Sequence, residues 1–133
     1  MDRKCTFVKA YKTRLFNKWA KKNKVSDSDL YSALEEIEKG LVDADLGRKL
    51  VKKRVKRQGS GKSGGYRTIL AYITGKKAFF LYAFGKNQKS NITESEKSAL
   101  EILGNSLLKM SETDIVKRLK DGSLIEVLED KNG

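Results

Sequence analysis

The chain has 133 residues, 35% charged and 38% hydrophobic, with a formal net charge of +12. That length is one ordinary domain, able to bury roughly two-thirds of its unfolded surface, and the balance excludes a disordered tail or a membrane protein over the whole length. With no histidine and a single cysteine, Cys5, the chain excludes an internal disulfide, a Cys-based zinc site and imidazole acid/base chemistry, so any catalysis falls to Lys, Arg, Tyr, Asp or Glu.

The opening segment, MDRKCTFVKAYKT, lacks the roughly 7-to-15-residue apolar core of a secretion signal, and no later run approaches the ~20 residues that cross a bilayer. A cytoplasmic location is the expectation. CTFVKAY is short and β-prone and predicts a strand in which Cys5 is inert. In KTRLFNKWAKKNK, Leu15, Phe16, Trp19 and Ala20 share one helical face. Ser26 is an N-cap with Asp29 three positions on, and Leu30, Ala33, Leu34, Ile37 and Leu41 repeat at helical steps, with Gly40 offering a stop. Glu35, Glu36 and Glu38 lie on the outer face of that helix, a solvated surface and not a paired-carboxylate active site.

From residue 50 the period changes to two. LVKKRVKR places Lys52, Arg54 and Lys56 on one face and Val51 and Val55 on the other, interrupted by Lys53, so that one edge of a sheet presents a row of cations. YRTILAYIT and KAFFLYAFG are apolar on both faces and joined through TGKK, which predicts a hairpin at the centre of a sheet with Phe79, Phe80 and Phe84 in the core. Thr93 and Glu96 form a capping box ahead of Leu100, Leu103 and Leu107, and Ser111 with Asp114 begins a shorter helix ending near Gly122. The tail SLIEVLED fits either a further strand or a docked extension. No linker or repeat divides the chain, and the order β-α-α-β-β-β-α predicts one α+β domain over residues 1–133, with 111–133 as a C-terminal extension.

The charge is segregated along the chain. Residues 46–93 hold thirteen Lys and Arg and no Asp or Glu, whereas residues 26–45 hold seven acids against Lys39 alone. A stretch of one sign draws polyanions, which makes nucleic acid the leading partner; no basic amphipathic helix with bulky apolar anchors accompanies it to suggest a membrane surface.

Within this stretch, RQGSGKSGGYRT contains the Gly61-Lys62-Ser63 of a nucleotide-binding loop. The pattern GxxxxGK[ST] needs glycine at 56, where the chain has Lys56, and needs a helix immediately afterwards, where the chain has the β-prone YRTILAYI. The reading that remains is a glycine-rich connection between two strands, able to bring Arg57, Lys62 and Arg67 near one phosphate.

Residues 52–100, with the loop Gly59-Ser60-Gly61-Lys62-Ser63-Gly64-Gly65-Tyr66-Arg67, resemble the RelE/HigB-like toxins of bacterial type II toxin–antitoxin systems, and the helix SALEEIEKGLVDADLG before them is similar to the same branch. The resemblance implies a RelE-like microbial RNase-type α+β fold, an antiparallel sheet packed by two N-terminal helices with additional C-terminal helices. It implies an mRNA interferase, an endoribonuclease cutting messenger RNA in the ribosomal decoding site and so inhibiting translation and growth, with no metal or cofactor. A cognate antitoxin, often a helix-turn-helix DNA-binding protein, is the implied second partner.

Attack of a ribose 2′-hydroxyl on the adjacent phosphate needs a proton acceptor, cations to steady the phosphorane and a donor for the leaving oxygen. Arginine stabilises charge but hardly exchanges protons at neutral pH, so lysine is expected to carry the proton transfers. By the resemblance Arg67 meets the scissile phosphate, Lys52 and Arg54 stand at the family strand's basic pair, and Lys86 follows the last strand's glycine. Relatives place Arg after that Gly-Lys and a tyrosine at the start of the last helix, where this chain has Asn87 and Ile92 or Thr93. Lys56, Arg57, Lys62 and Lys89 are candidate RNA contacts, and Tyr66 and Tyr72 are candidates either for base stacking or for sheet packing. Two other readings fit the same residues: a toxin of this fold that inhibits a protein such as DNA gyrase, and a non-catalytic nucleic-acid-binding module.

Overall fold

In the computed structural model, which describes residues 8–55, 65–85 and 91–128, the chain opens with a strand, β1 (Lys9–Thr13), that runs directly into α1 (Arg14–Lys22). Thr13 makes the junction, because its Oγ1 accepts from the Phe16 amide at 3.1 Å and so caps the helix. Phe16 and Ala20, four apart, are buried, and Trp19 packs partly buried beside them. Leu15 departs from the expected stripe: it is 74% exposed. Each helical residue turns about 100° from the last, so seating Phe16 on the sheet swings Leu15 out to the rim of a cleft shared with Leu103 and Leu124.

α2 (Asp27–Glu38) starts with the predicted capping box, Ser26 Oγ accepting from the Asp29 amide at 3.1 Å and Asp29 Oδ2 accepting from the Ser26 amide at 3.0 Å. It buries Leu30, Ala33, Leu34 and Ile37 and ends at Lys39; Gly40 then takes φ +88°, a left-handed conformation that glycine adopts without steric cost. Leu41 therefore lies beyond the helix and is exposed. The second half of SALEEIEKGLVDADLG is not helical either: residues Ala44–Gly47 form β2, which turns through Arg48 and Lys49 into β3 (Leu50–Val55). Both turn residues are left-handed, at φ 52° and 66°, as a two-residue hairpin favours. Neither is the asparagine or glycine that normally announces such a turn.

β4 (Tyr66–Ile73) and β5 (Lys77–Gly85) are the predicted central hairpin. α3 (Glu94–Leu108), α4 (Glu112–Asp121) and β6 (Leu124–Glu126) follow, with Gly122 left-handed at the end of α4. The sheet order is β2-β3-β4-β5-β1-β6, antiparallel throughout except for β1 beside β5. The tail is thus a strand, paired with β1. β3 is an interior strand and not an edge.

Each sheet face is covered by helices. α1 and α2 pack on Val51, Val55, Leu70 and Phe80, as expected of the two N-terminal helices. α3 and α4 cover the other face, setting Leu100, Leu107 and Ile115 against Leu50, Ile69, Ala71 and Phe79. Burying a side chain such as Phe79 or Phe80 contributes about 1.5–3 kcal/mol. α3 lies so close to the sheet that a Cβ on Gly104 would stand 3.1 Å from the Ala71 Cβ and 3.3 Å from a Leu50 methyl. On the same side Tyr11 stacks on Phe79 at 5.2 Å, and burial, reinforced by Glu112 and Glu126, pushes its phenol above the ordinary value.

The acidic outer face of α2 is used in packing. Glu36 pairs with Lys53 at 2.7 Å, and Lys53, 7% exposed, also donates to the Leu41 carbonyl at 2.8 Å. Glu38 accepts from the Tyr72 hydroxyl and from the Gly75 amide. Lys53 interrupts the β3 alternation in sequence but not in space, because α2 supplies a carboxylate where an apolar neighbour would otherwise sit.

Candidate functional site

Residues directly opposite in an antiparallel pair point to the same face, so the register across β3, β4 and β5 places the site. Arg54 stands opposite Arg67, which stands opposite Phe84; two residues along, Lys52 stands opposite Ile69, which stands opposite Tyr82. These two rows lie on the α3 side of the sheet. Arg54 is exposed, and Lys52, Arg67 and Tyr82 are half exposed. Among the described residues no carboxylate lies within ion-pairing distance of Lys52, Arg54 or Arg67. Like charges directly opposite one another destabilise a sheet by roughly 0.2–1 kcal/mol, and an anion seated between two guanidinium groups reverses the sign of that interaction.

Gly65 is required for the placement of Arg54. A Cβ at that position would stand 2.8 Å from Arg54 Cγ, so the arginine stem lies across bare backbone. Arg54 also borders a cleft of about 440 Å³ lined by Asp29, Glu36, Asp43 and Lys53. β4 begins at Tyr66, directly after Gly65, where a nucleotide-binding loop would need a helix.

Tyr82 reaches this face because of a β-bulge. Ile69 pairs with Tyr82 but its neighbour Leu70 pairs with Phe80, leaving Leu81 as an extra residue on β5. Phe79, Leu81 and Tyr82 consequently all pack on the α3 side. The Tyr82 hydroxyl donates to Glu96 Oε2 at 3.1 Å, and Glu96 Oε1 accepts from the Thr93 amide at 2.8 Å as part of the α3 capping box. Alternation read from the sequence puts Tyr82 beside Phe80 on the opposite face, and nothing in the residue types signals the extra position.

The remaining candidates divide. Tyr72 does not join the cations: it belongs to the α2 side, packs against that core and donates its hydroxyl to Glu38. Tyr66 is buried on the same side, edge-on to Trp19 at 4.9 Å, with its hydroxyl donating to Asn23 Oδ1 at 3.3 Å. Both tyrosines thus pack on the α1 and α2 side of the sheet. Lys56, Arg57, Lys62, Lys86 and Lys89 lie outside the described residues. The strands that lead to them end at Val55, Tyr66 and Gly85, paired in the row next to Arg54 and Arg67.

A protein-family model described as the RelE toxin of the RelE/RelB toxin–antitoxin system matches residues 8–127. No curated protein matches the chain.

Proposed function

The chain belongs to the RelE toxin family, and from that premise we propose that it is a metal-independent endoribonuclease that cuts messenger RNA in the ribosomal decoding site. A toxin of this family works against a cognate antitoxin; the antitoxin proposed here is a helix-turn-helix DNA-binding protein. Among the described residues no helix is long and apolar enough to cross a membrane, and the proposed site of action is the cytoplasm, where ribosomes are.

The observation that carries the reading is the Arg54–Arg67 pair, in register on adjacent strands with no carboxylate partner among the described residues. A sheet retains such a pair at a cost, and a phosphodiester offset by two forked guanidinium donors is the ligand that offsets it. Arg67, on the central strand of the three, holds the scissile phosphate, and the charge that builds up there in the transition state is stabilised by both arginines. The net charge of +12 favours association with a polyanion as large as the ribosome.

Induced expression of the chain is expected to stop growth and to leave messenger RNA cut within codons, only while translation runs. Arg67→Ala is expected to abolish both effects. Transcripts that stay intact while growth stops would transfer the reading to a protein target.

A further inference from the structure

Beside the first turn of α1, leucines from α1, β5, α3 and β6 converge on one groove. Leu81, Leu107 and Leu124 form its buried floor, and Leu15 and Leu103 stand at its rim, 74% and 41% exposed. Exposed apolar side chains scattered singly are ordinary, whereas a set gathered around a concave floor marks a binding surface. The groove holds about 280 Å³, below the roughly 300–1,000 Å³ of small-molecule sites, which suits single side chains of a larger partner. None of Lys52, Arg54 and Arg67 lines it.

The polar part of the rim is cationic. Arg14 and Arg118 line it, no carboxylate does, and Lys18 is exposed one turn further along α1. Arg14 is held by the C-terminal end of α4, its Nε donating to the Gly122 carbonyl and its Nη2 to the Asp121 carbonyl, each at 3.1 Å. The Asp121 side chain turns to Ser123, Oδ1 accepting from the amide and the hydroxyl at 2.8 and 2.7 Å. Among the described residues no carboxylate lies within ion-pairing distance of Arg14, Lys18 or Arg118. Cations around a leucine floor select an acidic, amphipathic partner. A second copy of this chain, itself at +12, is repelled. β1 has β5 on one edge and β6 on the other, so it offers no free edge for strand addition, and recognition falls to side chains, which an amphipathic helix presents at i, i+3, i+4 and i+7.

Resting on the family's need for an antitoxin, we infer that the antitoxin docks in this groove through an acidic amphipathic helix. Its apolar anchors enter between Leu15 and Leu103 and reach the floor at Leu81, while its carboxylates meet Arg14, Lys18 and Arg118. Anchors buried at the centre of such a contact carry most of the binding energy, and the charged rim sets the approach and the choice of partner. The residues that hold the antitoxin are thereby separable by mutation from those proposed to hold RNA.

The test titrates the purified full chain with the antitoxin encoded by the adjoining reading frame, in a calorimeter and without RNA, so that its outcome does not depend on whether the chain cuts messenger. Leu15→Glu is expected to weaken binding about 30-fold or more and Leu103→Ala about tenfold, both with an unchanged urea midpoint. Arg118→Glu should weaken it about tenfold at low salt and by less at about 0.5 M, where exposed charges are screened. Ile102 is as exposed as Leu15 but lies on α3 outside the groove, and Ile102→Glu should bind as the wild type does. A synthetic helix of about 20 residues, with leucines at i, i+3, i+4 and i+7 and glutamates between them, should compete with the antitoxin; its lysine-for-glutamate counterpart should not. Binding by Leu15→Glu and Leu103→Ala within about twofold of wild type, an equal loss in Ile102→Glu, or a wild-type chain that binds neither antitoxin nor acidic helix would each overturn the inference. So would a dimer of the chain, seen by sedimentation, that Leu15→Glu dissociates while antitoxin binding is kept, since the groove then belongs to a second copy.

Discussion

Lys53 and Arg54 are neighbours on β3 and meet opposite fates. Lys53 turns toward α2, where it is buried, paired with Glu36 and bonded to the Leu41 carbonyl. Arg54 is in register with Arg67 and, although it also borders the cleft beside α2, has no carboxylate within ion-pairing distance among the described residues. The contrast extends to the residues around them. Carboxylates of the acidic block at 26–45 are used on the α1 and α2 side, Asp27 on Lys12 at 2.6 Å, Glu36 on Lys53 and Glu38 on Tyr72. The cation rows are on the other side. On that side carboxylates answer cations away from the two rows, Glu101 on Arg48 at 3.8 Å and Glu112 on Lys9 at 3.7 Å, while Lys52, Arg54 and Arg67 are left to bind an anion.

The largest break in this contrast should come from Arg67→Ala. Loss of the guanidinium is expected to lower RNA cleavage by about 100-fold or more, yet the urea midpoint should hold or rise slightly, because the like-charge pair with Arg54 is relieved. Lys53→Ala should do the reverse. It strands the Leu41 carbonyl and the Glu36 carboxylate, costing about 2 kcal/mol in urea unfolding, with cleavage per folded molecule unchanged. Gly104→Ala sharpens the packing half of the comparison. The gain in helix propensity, about 1 kcal/mol, is set against overpacking at Ala71 and Leu50 of about 1–3 kcal/mol, so a net loss near 1 kcal/mol should appear in the same assay. Tyr72→Phe should cost about 1 kcal/mol or less and leave cleavage untouched; a cleavage defect there would break the separation of the faces.

The smallest effect is one of pH. The Tyr11 phenol is raised in the folded chain, first by burial and then by Glu112 and Glu126. Below about pH 10, the ordinary tyrosine value, both states keep the proton and the contribution to stability is complete. As pH rises past that value the unfolded chain releases the proton first, so stability falls. Tyr11→Phe should show a shallower fall in thermal midpoint between neutral pH and pH above 10.

Much of this fold is legible in the residues because its signals are local. Ser26 with Asp29 and Thr93 with Glu96 name two helix starts, Gly40 and Gly122 name two ends, and period-two alternation puts Lys52 and Arg54 on one face. What escapes is set by tertiary context. β2 is short and its turn uses Arg48 and Lys49 in left-handed conformations that their types do not advertise. β4 and β5 are apolar on both faces, so nothing along them says that Tyr72 goes to α2 or that an extra residue at Leu81 sends Tyr82 to α3. Lys53 reads as an error in a pattern until the carboxylate that answers it, seventeen positions earlier at Glu36, is brought alongside.

The pairing of β1 has a consequence in time. Lys9 lies beside Lys77, and Thr13 beside Leu124, so β1, made before the other five described strands, waits for β5 and then for β6, and its loop-closure entropy is met late. β3, β4 and β5 need only hairpins to meet. A nascent chain can therefore assemble the cation rows early, while a product cut short before β6 leaves one margin of β1 bare, an unpaired strand edge of the kind that recruits other chains.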